Sequence, residues 1–153
     1  MTAPCIRNIE LSDQNVLQQI ARNAVTLSVV APEEEKQNLL KGISRNIASV
    51  IIDQIDGVFL AAALSEVPVG FIIVKDYWNL SDLFVDPDHQ GLGIGRQLCS
   101  DAFAICEKET TKPSIRVNSA LNAVTFYESL GFYRIDVEQK LPDFIIPLEY
   151  SIR

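Results

Sequence analysis

The most constraining feature of this 153-residue chain is a glycine-rich turn near the middle of the sequence. An apolar run that predicts a strand ends at Val85, a proline-bearing turn follows, and glycines occupy positions 91, 93 and 95 where a helical pattern begins. The first backbone N–H groups of a helix lack partners within it, and glycine lets a ligand approach the backbone closely. The turn therefore predicts an anion site, with a diphosphate over residues 91–96 and Arg96 adding positive charge.

Two common phosphate-binding motifs do not fit this turn. A Walker loop needs Gly-Lys-Ser/Thr after its four-residue gap, and the sequence contains no such segment. A dinucleotide-binding turn needs a glycine three residues after Gly93, where this chain has Arg96, and it needs βαβ surroundings. The phosphate ligand therefore belongs to another class.

Hydrophobic periodicity predicts an α+β fold, with helices flanking a mixed, mostly antiparallel sheet in the order β-α-α-β-β-β-α-β-α-β-β. The predicted strands cover Ile6–Leu11, Val58–Leu64, Val67–Val74, Leu80–Val85, Ile115–Val117, Phe132–Val137 and Phe144–Ile152. The predicted helices begin at Ser12, at Pro32 with room for a break near Gly42, at Gly95 and at Asn122. Because no repeat or linker divides the sequence, we expect one domain over residues 1–153.

Two segments carry a resemblance to a known family. Gln90-x-x-Gly93-x-Gly95 resembles the acetyl-CoA-binding motif of the GNAT superfamily of N-acetyltransferases, whose pattern is Gln/Arg-x-x-Gly-x-Gly/Ala after a strand. The stretch from Val117 to Phe132, with its asparagines and its Phe-Tyr-Glu-x-x-Gly-Phe helix, is similar to the family's later motif. The resemblance implies a GNAT-like domain that moves the acetyl group of acetyl-CoA directly onto a primary amine of a small molecule or peptide, with no metal and no acyl-enzyme.

The resemblance also implies which residues contact acetyl-CoA. In this family the strand before the glycine loop splays from its neighbour, so we expect the backbone of Leu83, Phe84 and Val85 to pair with the pantetheine arm. An N–H near Val85 would stabilise the oxyanion formed on attack. The diphosphate is expected on Gln90, Gly91, Leu92, Gly93, Ile94, Gly95 and Arg96, with further contacts from Asn118, Asn122 and Phe126. The commonest asparagine position of the family holds Ala120 here, and Asn122 has a second interpretation as a helix N-cap.

Two residues are the catalytic candidates. Tyr127 matches the tyrosine that in many relatives protonates the departing thiolate, and a phenol with a pKa of about 10 still carries the needed proton at pH 7. The alternative for Tyr127 is a packing role on its helix. Many relatives carry a glutamate before the asparagine loop, but Ile115 and its neighbours are not acidic. Asp82 is the candidate base instead, with a structural aspartate and a water relay as alternatives.

Composition limits the remaining function classes. A net charge of −7 argues against non-specific nucleic-acid binding, and no apolar run is long enough to span a membrane. Cys5, Cys99 and Cys106 lack CxxC spacing and His89 is the sole histidine, so we expect reduced thiols and no metal site. The N-terminal residues lack the charged-then-apolar pattern of a signal peptide, so we expect a cytoplasmic protein. Cys99 and Cys106 are interpreted as core residues.

The acceptor is expected to contact the N-terminal half, including the Lys75–Trp78 connection, where Tyr77 and Trp78 either form a cation-binding wall or cover the sheet end. The sequence does not identify the acceptor amine. Because many relatives form dimers, a homodimer is one possible oligomeric state. Two alternatives stay open: a non-catalytic acyl-CoA-binding sensor or interaction module, and transfer of a longer acyl group.

Overall fold

The computed structural model describes residues 3–153, so Met1 and Thr2 of the expected 1–153 domain lie outside the described residues. Its seven strands form one sheet in the order β1-β2-β3-β4-β5-β7-β6. Every pairing is antiparallel except that between β4 and β5. The strands are β1 (Cys5–Asn8), β2 (Gly57–Leu64), β3 (Val67–Lys75), β4 (Asn79–Val85), β5 (Ser114–Ala120), β6 (Tyr133–Arg134) and β7 (Ile145–Ser151). The predicted fold class and element order are confirmed.

Four α-helices pack on the sheet: α1 (Gln14–Ser28), α2 (Glu33–Ala48), α3 (Ile94–Glu109) and α4 (Val124–Ser129). Helix α2 runs without a break through Gly42, so the break that the sequence left open there does not occur; the helix passes into a π-helical turn over Ser49–Asp53. Three glutamates in the first turn of α2 face the positive end of its dipole. Within residues 3–153, no helix combines the length and hydropathy needed to cross a membrane.

The sheet is buried on both faces, which explains the continuous apolar run of β3. Ile72 and Val74 pack with α3 and α4 in one core, whereas Phe71 and Ile73 pack with α1 and α2 in the other. Alternate residues of a strand point to opposite faces, so a strand between two helical layers is apolar at every position. Cys99 and Cys106 are buried on the α3 side, as predicted.

The strand pair β4 and β5 opens into a gap. These parallel strands pair only at Asn79–Arg116 and Leu80–Val117, and they separate beyond those two positions. The later part of β4 therefore has no backbone ladder on its β5 side. The Lys75–Trp78 turn lies at the other end of β4, and Tyr77 packs against the α3 core there.

Several strand ends differ from the predictions. β1 ends before Ile9 because the Asp13 carboxylate accepts the Glu10 N–H at 2.8 Å and turns the chain into the first helix. β5 is longer than predicted, because its polar residues pair with β7. β6 is limited to two residues: Ile135 donates to the Pro147 carbonyl, but Pro147 has no N–H with which to return the bond.

Candidate functional site

A groove lies between the separated ends of β4 and β5. Two adjoining cavities of about 190 and 270 Å³ form it and share part of their lining. The shared residues include Leu83, Val85, Gln90, Asn122 and Tyr127, drawn from β4, the glycine loop and the segment after β5. The splayed strands thus expose strand backbone along one wall and place the start of α3 at one end.

The glycine loop carries a row of unpaired donors beside this groove. Within residues 3–153, the backbone N–H groups from Gly91 to Arg96 donate to no backbone carbonyl; the next one, of Gln97, bonds to the Gly93 carbonyl at 3.0 Å. Gly91 and Gly93 have φ angles of 78° and 81°, the left-handed region that favours glycine. A Cβ at either position would meet no atom within 4 Å, so space lies open above the loop. Six consecutive donors at a 16-residue helix suit a diphosphate.

Two long side chains of the loop are held by the protein itself. The Gln90 amide donates to the Val85 carbonyl at 3.1 Å, which fixes the loop against the end of β4. The Arg96 guanidinium donates to the Ser129 hydroxyl at 3.1 Å, and that hydroxyl donates to the Phe126 carbonyl at 2.6 Å. Arg96 thus ties α3 to α4 beside the groove and does not line it.

The groove brings together most of the predicted cofactor-binding residues and one of the two predicted catalytic residues. Those that line one or both cavities are Leu83, Phe84, Val85, Gln90, Gly91, Ile94, Gly95, Asn118, Asn122, Phe126 and Tyr127. Leu92, Gly93, Arg96 and Asp82 line neither cavity. Asn122 makes no capping hydrogen bond, and α4 follows Ala123, so the N-cap interpretation of Asn122 is wrong.

Tyr127 occupies the wall between the two cavities. Its ring lies 5.3 Å from that of Phe126 and 5.1 Å from that of Phe132, measured between centroids, and only 5% of the residue is exposed. Burial raises the pKa of the phenol well above its ordinary value, and the nearby Cys99 and Asp82 raise it further. The phenol makes no hydrogen bond to residues 3–153, and the side chain contributes to both cavities. A protonated hydroxyl therefore stays available in the groove at neutral pH.

Asp82 lies behind the groove rather than in it. It is 1% exposed, pairs with Ile73 and points toward α2, where the Asn46 amide donates to Asp82 Oδ1 at 2.9 Å. Burial raises its pKa to about 6, although hydrogen bonds from Ser81 and Asn46 and the charge of Lys75 oppose that shift. The Oδ2 atom of Asp82 is buried without a hydrogen-bond partner within residues 3–153.

The structure adds cavity residues that the sequence did not single out. Ser81 and Ser119 line the groove from β4 and β5, and Ser28 and Val29 line it from the end of α1. His89 lines the wider cavity, and Asp86 holds its Nδ1 at 3.0 Å. A bulge in β4 exposes Ser81, and no residue pattern predicts it. Tyr77 and Trp78 line neither cavity, which favours the interpretation that they cover the sheet end.

Sequence comparisons agree with the geometry. A family model described as the acetyltransferase (GNAT) domain matches residues 27–145, more than half of the chain. Peptidyl-lysine N-acetyltransferase YjaB of Escherichia coli strain K12 is 35% identical over 65 residues, which make up 42% of this chain and 42% of YjaB. The aligned stretch therefore spans less than half the length of that relative.

Solved structures share the fold over almost the whole chain. The crystal structure of PaiA N-acetyltransferase from Thermoplasma acidophilum in complex with coenzyme A has a TM-score of 0.81 at 21% identity, with 98% of this chain and 99% of that chain covered. The solution structure of apo-form YjaB from Escherichia coli has a TM-score of 0.70 at 22% identity, with coverage of 97% and 98%. At such identities the likeness is one of fold.

Proposed function

The chain belongs to the GNAT family of acetyltransferases, and from this premise we propose that it transfers the acetyl group of acetyl-CoA directly onto a primary amine. The observation that carries the proposal is the row of six unpaired N–H groups from Gly91 to Arg96 beside the gap between β4 and β5. A diphosphate suits the row of N–H groups, and an extended chain with amide groups suits the gap between the strands. Coenzyme A contains a diphosphate followed by such an amide chain.

The residues present fit the coenzyme. The N–H groups of the glycine loop would hold the diphosphate, and the unladdered edge of Leu83–Val85 would pair with the pantetheine amides as a further strand does. Asn118, Asn122 and Phe126 would contact the ligand from the β5 and α4 wall. When bound, acetyl-CoA supplies a thioester carbonyl that an amine can attack and a thiolate that can leave.

The groove also supplies groups for the chemical step. A backbone N–H near Val85 would donate to the carbonyl oxygen as negative charge develops on it. Tyr127 would donate its phenolic proton to the departing sulfur. The raised pKa keeps the phenol protonated at neutral pH, and the same burial makes a thiolate released beside it more basic. Asp82 is our candidate for the final proton acceptor.

The acceptor amine would enter from the α1 side of the narrower cavity. Ser28 and Val29 line it there, and none of its lining residues carries a charge. Hydroxyl and amide groups beside small apolar ones suit an uncharged aliphatic arm that ends in an amine. Because YjaB is named a peptidyl-lysine N-acetyltransferase, a peptide lysine is the first acceptor to test.

The test measures release of the coenzyme A thiol from acetyl-CoA by purified protein across a panel of amines. The panel contains lysine peptides, polyamines, small aliphatic amines and peptides with free N-termini, and mass spectrometry of each product checks for the acetyl group. We expect thiol release that depends on one class of amine, with an acetylated product in equal amount. Propionyl- and butyryl-CoA, measured beside acetyl-CoA, would define the acyl group.

Calorimetry of acetyl-CoA binding in the same sample makes a negative result interpretable. Binding without transfer to any amine would contradict the proposed activity and favour a sensor or interaction module. Absence of binding would contradict the assignment of the cofactor groove itself.

A further inference from the structure

The proposed reaction leaves one proton without an obvious acceptor. An alkylamine has a pKa of about 10.4, so nearly all of it is protonated at pH 7 and cannot attack a thioester. Within residues 3–153, no aspartate or glutamate lines either cavity of the groove. His89 lines the wider cavity and not the narrower one, to which we assign the acceptor amine. A base for the narrower cavity must therefore act from behind its wall, or the enzyme must use only the small neutral fraction of its substrate.

A bulge in β4 opens one route through that wall. Ile73 pairs with Asp82 and Val74 pairs with Leu80, so Ser81 stands opposite no residue of β3. Ser81 lines the narrower cavity, and its hydroxyl donates to Asp82 Oδ1 at 2.6 Å. The same hydroxyl lies 3.5 Å from the Ile73 carbonyl, so Asp82 Oδ1, which is closer, is the better acceptor for its single proton. With that proton directed to Asp82, the lone pairs of Ser81 Oγ remain free to accept another proton.

On the side facing α2, polar residues stabilise the carboxylate of Asp82. Lys75 Nζ donates to Asn46 Oδ1 at 2.6 Å, which turns the Asn46 amide nitrogen toward Asp82 Oδ1. Lys75 on β3 is the charged group that favours the ionised carboxylate, and α2 contributes the uncharged Asn46. From α4, Tyr127 is the titratable group that acts across the strand.

We propose that Ser81 is a catalytic residue of the acetyl transfer, whose hydroxyl relays the proton of the acceptor amine to Asp82. The proposal rests on the proposed function. Ser81 Oγ accepts a proton from the ammonium group as its own proton moves to Asp82 Oδ1. The amine becomes neutral and Asp82 becomes a carboxylic acid, so one proton crosses the wall and no other bond changes. After the product leaves, the proton returns through Ser81 to water in the groove.

The pKa values of Asp82 and of the acceptor ammonium group favour this proton transfer. Burial raises the pKa of Asp82 to about 6, above its ordinary 3.8. Desolvation in a narrow groove lowers the pKa of an ammonium group, because the charged form loses its hydration. The two shifts bring the pKa of the ammonium donor closer to that of the Asp82 acceptor. The Oδ2 atom of Asp82 is buried without a hydrogen-bond partner among the described residues, which raises the free energy of the charged carboxylate. Protonation of the carboxylate lowers this desolvation penalty.

The test compares five variants in the coupled thiol assay, with the best amine from the panel as acceptor. Ser81→Ala removes the relay, Ser81→Thr keeps a hydroxyl, Asp82→Asn removes the base, and Ser81→Ala/Asp82→Asn removes both. Ser100→Ala, an exposed serine on α3 outside both cavities, is the matched control. Calorimetry with acetyl-CoA and thermal unfolding accompany every variant.

We expect Ser81→Ala to lower kcat at pH 7 by about 100-fold, the size of a general-base contribution, with acetyl-CoA affinity unchanged. Ser81→Thr should restore most of the loss. The double variant should be no slower than the slower single variant, because both substitutions break one path. The ratio of wild-type to Ser81→Ala rates should shrink as the pH rises toward about 10, where the amine is already neutral in solution.

Three outcomes would overturn the relay while leaving the enzyme intact. These are a Ser81→Ala variant as fast as wild type, losses that add in the double variant, and a rate ratio that does not change with pH. Wild-type protein that binds acetyl-CoA but acetylates no amine would instead overturn the proposed function, and the relay with it.

Discussion

At the scale of single residues, Tyr127 illustrates how burial sets the chemistry of a side chain. Its ring packs among Phe126 and Phe132, and its hydroxyl has no hydrogen-bond partner within residues 3–153. Phenylalanine fills the same space, so Tyr127→Phe should fold normally and bind acetyl-CoA nearly as well as wild type. We expect turnover to fall about 100-fold, since a general acid contributes at least that much. Steady-state kinetics and calorimetry on the same preparation check both parts.

A control variant and a rescue measurement accompany this prediction. Tyr133→Phe removes a phenol from the exposed strand β6, which lines neither cavity, and should leave turnover unchanged. Unaltered turnover in Tyr127→Phe would show that its role is packing. If acids added to the buffer restore the turnover of Tyr127→Phe, that result would support the acid role.

Asp82 shows which features of a single residue the sequence can predict and which it cannot. Asp82 could be picked from the sequence because a carboxylate within an apolar strand is unusual. Its access to the groove through Ser81 could not, since it depends on a bulge between Ile73 and Val74 and on an asparagine from α2 that lies 36 residues earlier in the chain. Pairing irregularities and contacts between distant elements leave no local pattern.

At the scale of elements, the start of α3 is where backbone geometry should control affinity. Gly93 precedes the helix with a φ of 81°, and a left-handed conformation costs other residues about 1–2 kcal/mol. Gly93→Ala should therefore disturb the loop and weaken coenzyme A binding by about tenfold, the effect of about 1.4 kcal/mol. Pantetheine, which lacks the diphosphate, should bind the variant as it binds wild type. Calorimetry with the two ligands separates these effects.

Gly42→Ala is the matched glycine control. Gly42 lies within α2, where a Cβ would meet only the Arg45 guanidinium at 3.9 Å, an ordinary contact. Alanine should stabilise the helix by about 0.5–1 kcal/mol and leave coenzyme A affinity unchanged. Equal losses of affinity for coenzyme A and pantetheine in Gly93→Ala would contradict a diphosphate site on this loop.

Element prediction succeeded where apolar periodicity was strong and failed where long-range pairing decides. The β2–β3 hairpin, α1 and the start of α3 lie within a residue or two of their predicted places. The length of β5 was missed because its polar outer positions resemble a loop until β7 pairs with them. The gap between β4 and β5 followed from the family resemblance alone, since no composition marks where two strands part.

At the scale of the whole molecule, one buried carboxylate links activity to stability. The two cores hold the sheet between helical layers, and Asp82 is the buried charge between β4 and α2. Its folded-state pKa of about 6 exceeds the ordinary 3.8, so its contribution to folding is fully present below about pH 4 and is lost as the pH rises through 6. A proton acceptor suited to the groove is thus a destabilising group at neutral pH, a common property of active sites.

Asp82→Asn should therefore stabilise the protein, by an amount that rises between about pH 4 and pH 6 and is constant above that range. A shift of about 2 pKa units corresponds to about 3 kcal/mol, which raises the Tm of a domain of this size by roughly 6–12 °C at pH 8. The gain should shrink toward zero near pH 4, where the native carboxyl is neutral. Thermal unfolding of both proteins at pH 4, 6 and 8 measures it, with Asp136→Asn, an exposed loop position, as control. A gain equal at all three pH values would mean that asparagine packs better, and a loss at pH 8 would mean that the charged carboxylate stabilises the fold through Ser81, Asn46 and Lys75.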